Sequence, residues 1–506
     1  MKKLLSRRIL LVISILAAGF LFYLIYQLKM LPFRYFILIF AVVFGLIFLF
    51  YAGEKDKEHH HSMRVVILKL LHIALSVVML VASISVLKGS NFLNNITGGS
   101  EQTIEMNVVV LKDSSYKKLE DLKDVSFGAN TALDAISINK TETLIEEDIG
   151  DIEVTNYESY NDLLAALNDK KVEAMIVKAI DNDSLSTIEP NYKEKTRIIQ
   201  TYELKVPSVA ANSAEVTKEP FHIFISGADK RGPISTFALS DVDMIVTVNP
   251  TTKQIYLTSI PRDYYVDIYK VNEDGTEVKI GKDKLTHSAK FGIQSTIRTV
   301  EKLMGIKINY YAKFNFTSFV NVVDALGGIT IDIPHYDVIG RDDGVFITRK
   351  GKFTMKPGEM DMTAEQALSF VRERYAFAGG DTVRGKNQMI MIKAIVKKCC
   401  SPAIITKMDG VFESLASCFE TNMSADDIKA LINMQLDDNA AWDIQSYHLN
   451  GDIGERVFYL ATIGDVTSVN PKGLWVAAVD EDSVKQAKEY MDVIMSGEIL
   501  KIKDDE

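Results

Sequence analysis

The sequence predicts an α/β protein on a membrane anchor: three N-terminal transmembrane helices, a smaller α/β accessory domain, and a three-layer α-β-α domain around a mixed central sheet. Three observations lead there. Residues 9–28, 35–52 and 65–87 are apolar runs, each long enough to cross a hydrocarbon layer of roughly 30 Å. The runs Phe221-His222-Ile223-Phe224-Ile225, Met244-Ile245-Val246-Thr247-Val248 and Ile255-Tyr256-Leu257-Thr258-Ser259-Ile260 are rich in β-branched and aromatic residues and bounded by Gly, Pro and Asn. They are too uniformly apolar for a sheet with one wet face, so helices are expected on both. Beyond Asp263, segments of helical and strand period alternate.

A chain of 506 residues is too long for one core. It divides into an anchor at 1–90, an accessory domain at 100–206 and a larger domain at 215–500. Lys2, Lys3, Arg7 and Arg8 before the first apolar run also fit a signal peptide. That run is long, however, no small-residue cleavage site follows, and two further runs come at once. Positive charge concentrates at the N-terminus and between the second and third runs (Lys55, Lys57, Arg64). Both are therefore expected inside, which puts everything after Lys88 outside a multi-pass cell membrane. Residues 1–90 carry a net charge of +8 and the rest −18. So acidic an outer portion is a poor partner for nucleic acid, and any phosphate must be met by a local arginine cluster.

In the accessory region, Asn107-Val108-Val109-Val110-Leu111, Val125-Ser126-Phe127-Gly128 and Ala174-Met175-Ile176-Val177 read as strands, with helices at 119–122 and 160–167. The order is similar to one lobe of an extracellular solute-binding protein. One lobe cannot close around a solute, so a spacing or docking role is expected. In the larger domain, helices are expected over 287–304, 318–326, 364–370, 383–398, 424–436 and 483–494, with strands at 310–314, 329–333 and 474–479. Thr363-Ala364-Glu365-Gln366 is a capping box. Cys399, Cys400 and Cys418 allow one bridge from the adjacent pair to Cys418 or three reduced thiols, and no metal-type spacing.

Chemistry-bearing residues gather at strand ends and in one later stretch. Asp229, Asp241 and Arg262 sit where loops leave the sheet, the usual place for a site in an open α/β fold. Arg372 and Arg374 are two apart and can act together only if the backbone between them is extended. Arg384 and Gln388 share one helix face. Guanidinium forks and helix N-termini suit phosphate oxygens. The plainer alternative is a solvated basic face paired with Glu373 and Asp381. Asp229 and Asp241 could equally serve turns and caps, or hold magnesium beside a phosphate.

In order and spacing, the segments Gly227-Ala228-Asp229-Lys230-Arg231, Ser240-Asp241-Val242-Asp243-Met244, Ser259-Ile260-Pro261-Arg262-Asp263, Asp283-Lys284-Leu285-Thr286-His287, Asp324-Ala325-Leu326-Gly327-Gly328, Val371-Arg372-Glu373-Arg374 and Asp381-x-x-Arg384-x-x-x-Gln388 resemble the LytR–CpsA–Psr family. The three spans and the extra outer domain are similar to its CpsA-like branch. The resemblance implies an extracytoplasmic phosphotransferase that moves a glycopolymer, of capsular or wall teichoic acid type, from an undecaprenyl-pyrophosphate carrier to peptidoglycan. It implies that Arg262, Arg372 and Arg374 hold pyrophosphate and take part in catalysis with Asp241, that Arg384 and Gln388 support them, and that Asp229 and Asp241 hold Mg2+ or Mn2+. Many members carry Arg where this chain has Leu239, a charge that Arg231 could replace. An apolar slot for the lipid is expected near Ile297, Val300, Phe316, Val320 and Val323, positions whose spacing also suits plain core. A non-catalytic envelope sensor and a wall-polymer-binding module are the rival readings.

Overall fold

A computed structural model describes residues 6–54, 63–97, 102–207, 209–228, 234, 236–349, 352–399, 401, 410, 419–451 and 453–502. Three helices, Arg7–Leu28, Phe33–Gly53 and Met63–Ile96, are each long and apolar enough to cross a membrane. They turn Leu16, Phe33 and Val78 outward, an arrangement that lipid tails tolerate and water does not. Polar groups face inward instead: the Ser14 and Ser76 hydroxyls lie 2.8 Å apart, and His72 Nδ1 lies 2.9 Å from Glu54 Oε1. The third helix continues past the expected end at residue 87. Its last turns are held by packing, because Phe92, Leu93 and Ile96 join Met30 against Phe419, Ile428 and Ile432. Arg34 Nε lies 3.2 Å from Asp437, so the turn after the first helix and the end of the third both meet the helix Ala425–Asp438.

Next comes a five-stranded sheet in the order Glu153–Asn156, Ser126–Ala129, Ala174–Lys178, Gln102–Leu111, Thr196–Val206. Alternation along the strand Gln102–Leu111 sends Ile104, Met106, Val108 and Val110 toward the helix Thr131–Ile149. Val109 points to the other face, where the helix Tyr160–Asn168 packs.

The larger domain is built on a six-stranded sheet: Phe419–Thr421, Tyr310–Asn315, Phe221–Ala228, Ser240–Asn249, Gln254–Ile260, Asp443–His448. Pairing is parallel at two of the five contacts and antiparallel at the other three, so the sheet is mixed. Phe224, Ile245 and Tyr256 face the helices Ile293–Met304 and Glu481–Ser496. Met244, Val246 and Leu257 face the helices Gly380–Cys399 and Ala425–Asp438. Residues 287–291 belong to a 3-10 segment, Leu285–Phe291, and the α-helix starts only at Ile293, after Gly292 at φ 89° breaks the run. An annex of short strands (Ile329–Ile333 with Gly358–Met362, Phe346–Ile347 with Thr354–Met355) and two helices (Phe316–Ala325, Ala364–Arg372) packs around Phe346, Phe370 and Phe377.

The two sheets are joined by buried ions. Asp134 pairs with Lys178 and, at 3.1 Å, with Lys270; Lys290 Nζ lies 3.2 Å from Asp181 and donates to Thr462 at 3.2 Å. Lys270, Lys290 and Thr462 come from the larger domain and the others from the five-stranded unit, so the charges interlock across the junction. Burial opposes the charge on Asp134, but Lys178 and Lys270 outweigh it and hold the carboxyl far below its ordinary range. Folding that lowers a carboxylate pKa adds stability above the unfolded value of about 4 and loses it as pH falls, so this junction should weaken only in acid. Lys290→Met should cost about 3–5 kcal/mol in urea denaturation, since Asp181 is left buried without its cation. Adding Asp181→Asn should recover most of that loss, and a fully additive double mutant would refute the pairing.

Candidate active site

Four strands of the large sheet reach one edge together. Ala228 lies opposite Ser240 and Asn315, and Ile260 opposite Asp243, so the chain ends that carry Asp241 and Arg262 leave the sheet side by side. The Arg262 guanidinium pairs with Asp241 and reaches Asp263 at 3.5 Å; Lys284 Nζ holds the other oxygen of Asp263 at 2.8 Å. Burial disfavours the Arg262 charge, yet Asp241, Asp263 and Asp381 together hold it above its ordinary value. Thr286 braces this edge, donating from its backbone to Arg262 O (2.9 Å) and from its hydroxyl to Ser240 O (2.7 Å).

The opposite wall comes from two helices. Thr363 and Gln366 form the expected capping box, and the helix Ala364–Arg372 ends at Arg372 because Glu373 turns to extended geometry (φ −72°, ψ 130°). That break lets Arg372 and Arg374 face one space. Along the helix Gly380–Cys399, Arg384 pairs with Asp381 at 2.9 Å, and Gln388 donates to Val371 O at 3.4 Å. Gly385 permits the close crossing: a β-carbon there would overlap the His448 ring. Arg374 also approaches Asp381, at 3.7 Å. Among the described residues Glu373 makes no such pair. It is buried and turns inward to accept backbone N–H groups instead.

These elements enclose a cavity of about 640 Å³. Asp241, Arg262, Arg372, Arg374, Arg384 and Gln388 all line it. Arg349 and Lys352, from the short hairpin of the annex, bring the lining cations among the described residues to six, against the carboxylates of Asp241 and Glu365. The other end is apolar: Phe314, Phe319, Val320, Leu368, Met391 and Ile392. Arg374 and Arg349 stack on the ring of Tyr375, with guanidinium carbons 4.8 and 5.1 Å from its centroid. The expected lipid slot needs correction. Val320 lines the cavity, but Ile297 and Val300 pack in the core under the helix Glu481–Ser496, and Val323 is buried within the annex. Asp229 and Arg231 fall outside the described residues, as do Cys400 and Cys418.

Asp243 is the feature that strand reading missed. Two residues past Asp241 on the same strand, beyond the irregularity that leaves Asp241 out of the pairing, it is buried, and neither carboxylate oxygen has a hydrogen-bond partner among the described residues. Burial pushes its carboxyl up to about 7. An orphaned carboxylate beside Asp241 fits the oxygen donors that a hard divalent cation takes. Among the described residues no group of three His, Cys, Asp or Glu could enclose such an ion, so phosphate and water would have to complete its shell.

The LytR_cpsA_psr family model matches residues 173–492, well over half of the chain. This chain belongs to the LytR–CpsA–Psr family. A model for the DNA polymerase processivity factor also matches residues 60–177, a stretch that takes in the third apolar helix yet omits the edge strand Thr196–Val206, so it corresponds to no folded unit here. Among LytR–CpsA–Psr relatives, the chain is 30% identical over 270 residues to the polyisoprenyl-teichoic acid–peptidoglycan teichoic acid transferase TagU of Bacillus licheniformis, covering 53% of this chain and 75% of that one. It is 32% identical over 235 residues to TagU of Enterococcus faecalis, covering 46% and 71%. A solved structure of TagT bound to LIIa-WTA superposes with 26% identity and a TM-score of 0.42, over 56% of this chain and 94% of that one.

Proposed function

We propose that this chain is a membrane-anchored transferase that takes a glycopolymer from a polyisoprenyl-pyrophosphate carrier and attaches it to peptidoglycan through a phosphodiester. One observation carries the reading: a single cavity is cationic at one end and apolar at the other, matching a ligand that is pyrophosphate at its head and hydrocarbon in its tail. Phosphoryl transfer asks for positioning and charge neutralisation more than for covalent help. In the reaction, an acceptor hydroxyl oxygen attacks the polymer-side phosphorus, the bridging P–O bond breaks, and lipid phosphate leaves with the electron pair. Arg262, Arg372 and Arg374 hold the oxygens where charge gathers, and Arg384 and Gln388 orient them. Asp241 lines the cavity and is the candidate to receive the hydroxyl proton, on an oxygen that neither Arg262 nor a metal engages. Asp229 and Asp241, with Asp243 behind, would hold magnesium, which supplies further charge neutralisation when bound.

The outer domains lie beyond the membrane in this reading. Two facts support it: the first inter-helix turn and the end of the third helix meet the same helix of the large domain, and basic residues crowd the opposite ends of the bundle. The donor is of capsular or teichoic acid type. Arg372→Ala in full-length protein in nanodiscs should cut transfer of labelled lipid-linked polymer by about 10²–10³-fold, the scale for losing one oxyanion donor. Wild-type transfer by that variant would refute the assignment. A wall-binding module would hold the same donor and release no lipid phosphate.

A further inference from the structure

We propose that the acceptor glycan is held outside the cationic cavity, in a cleft between the accessory unit and the excursion that spans residues 453–477; this rests on the transfer reading above. The cleft encloses about 640 Å³. One wall is the accessory unit, with Asn130, Glu158, Asn161 and Asp162. The other is the excursion, with Tyr459, Thr467 and their neighbours.

Its chemistry is the inverse of the first cavity. Among the described residues no lysine or arginine lines it. Carboxylates, amides and hydroxyls do, together with an exposed aromatic ring, and these groups exchange hydrogen bonds with sugar hydroxyls and N-acetyl groups. Glu158, Asp162 and Asp465 would repel an anionic polymer, so the occupant is an uncharged amino-sugar chain. Asn130, 4% exposed, keeps a buried side-chain oxygen without a partner among the described residues, and its residue faces this cleft.

The excursion also links the cleft to the site of transfer. Gly454–Val457 pairs with Leu474–Ala477, placing Arg456 opposite Trp475. Trp475 lines a small recess together with Arg262, Asp381 and Arg384. From Val457 the chain runs directly into Phe458 and Tyr459, and all three aromatic residues are more than a third exposed. Exposed rings offer flat apolar faces to sugar rings, so a glycan held at Tyr459 in the cleft would meet its next ring at Trp475, which shares a recess with Arg262.

The test uses full-length protein in nanodiscs, with chitotetraose as the binding probe and uncross-linked peptidoglycan strands as acceptor. Tyr459→Ala removes an exposed ring, and Ser468→Trp fills the cleft from an exposed position, so neither disturbs the core. Each should weaken chitotetraose binding at least tenfold and raise the acceptor KM by a similar factor, with donor KM and kcat at saturating acceptor unchanged. An unchanged acceptor KM in both variants, or a shift in donor KM instead, overturns this site while leaving the transferase reading intact. Loss of that reading has a separate signature: Tyr459-dependent sugar binding in a wild-type protein that transfers nothing.

Discussion

Arg262→Gln should abolish measurable transfer, a loss of about 10²–10³-fold, and should also destabilise the outer domain. Both effects have one cause. The Arg262 side chain is 23% exposed and sits between Asp241 and Asp263, which are 15% and 13% exposed. Among the described residues, removing the guanidinium leaves Asp241 without an ion pair and Asp263 with its pair to Lys284, and only the more distant charge of Arg384 still acts on the two. The penalty belongs at the lower end of the roughly 3–5 kcal/mol expected for breaking a buried pair, since water reaches part of this one. Arg262→Lys separates the two roles. A single ammonium can neutralise one carboxylate but cannot fork between both and still reach a phosphate. Stability should therefore be largely restored while transfer stays at least tenfold down. Transfer within threefold of wild type in either variant would remove Arg262 from the machinery.

What could be read beforehand follows from where tertiary structure was needed. The strands Phe221–Ala228, Ser240–Asn249 and Gln254–Ile260 were legible because both faces are buried and the runs are apolar throughout. Arg262, Arg372, Arg374, Arg384 and Gln388 were legible through the ordered spacing that resembles the family, and they line one cavity. The helix Thr131–Ile149 was not, since Asp134 breaks its geometry at φ −156° and its apolar residues are scattered among Thr, Asp and Glu. The hairpin Tyr265–Val271 with Glu277–Lys284 is too polar to read as buried sheet. Nor could Lys88 through Ile96 be read as helix, because polar residues there are kept helical by Phe92 and Leu93 against another domain. Arg349 and Lys352 are exposed basic residues of an unremarkable hairpin, and only the fold of the annex brings them to the cavity. The spacing of Ile297 and Val300 was the same for a lipid slot and for core, and packing decided for core.

Glu373 gives the last and sharpest expectation, because one buried carboxylate organises three of the cavity's aromatic and cationic side chains. It is 2% exposed. One oxygen accepts N–H groups of Arg374 (3.1 Å), Tyr375 (2.9 Å) and Ala376 (3.2 Å); the other accepts the N–H of Arg349 at 2.5 Å. The first oxygen shapes the turn that aims Arg374, and the second ties that turn to the hairpin carrying Arg349. Tyr375 is stacked with both arginines and follows the turn. Glu373→Ala strands four donors, each bond to a charged acceptor being worth about 1.5–3 kcal/mol, so a large loss of stability is expected. The arginines would also drift, and a displacement of about 1 Å can cost 10²-fold in rate. Glu373→Gln is the discriminating variant. Its remaining oxygen can keep the turn, but its amide then points an N–H at the N–H of Arg349 and releases only the hairpin. Donor KM should rise about tenfold with kcat little changed, as expected when binding charge is lost but the reacting centre is not disturbed. If Glu373→Ala keeps wild-type stability and donor KM, the turn is held by its own backbone and the carboxylate has no part in aiming Arg374.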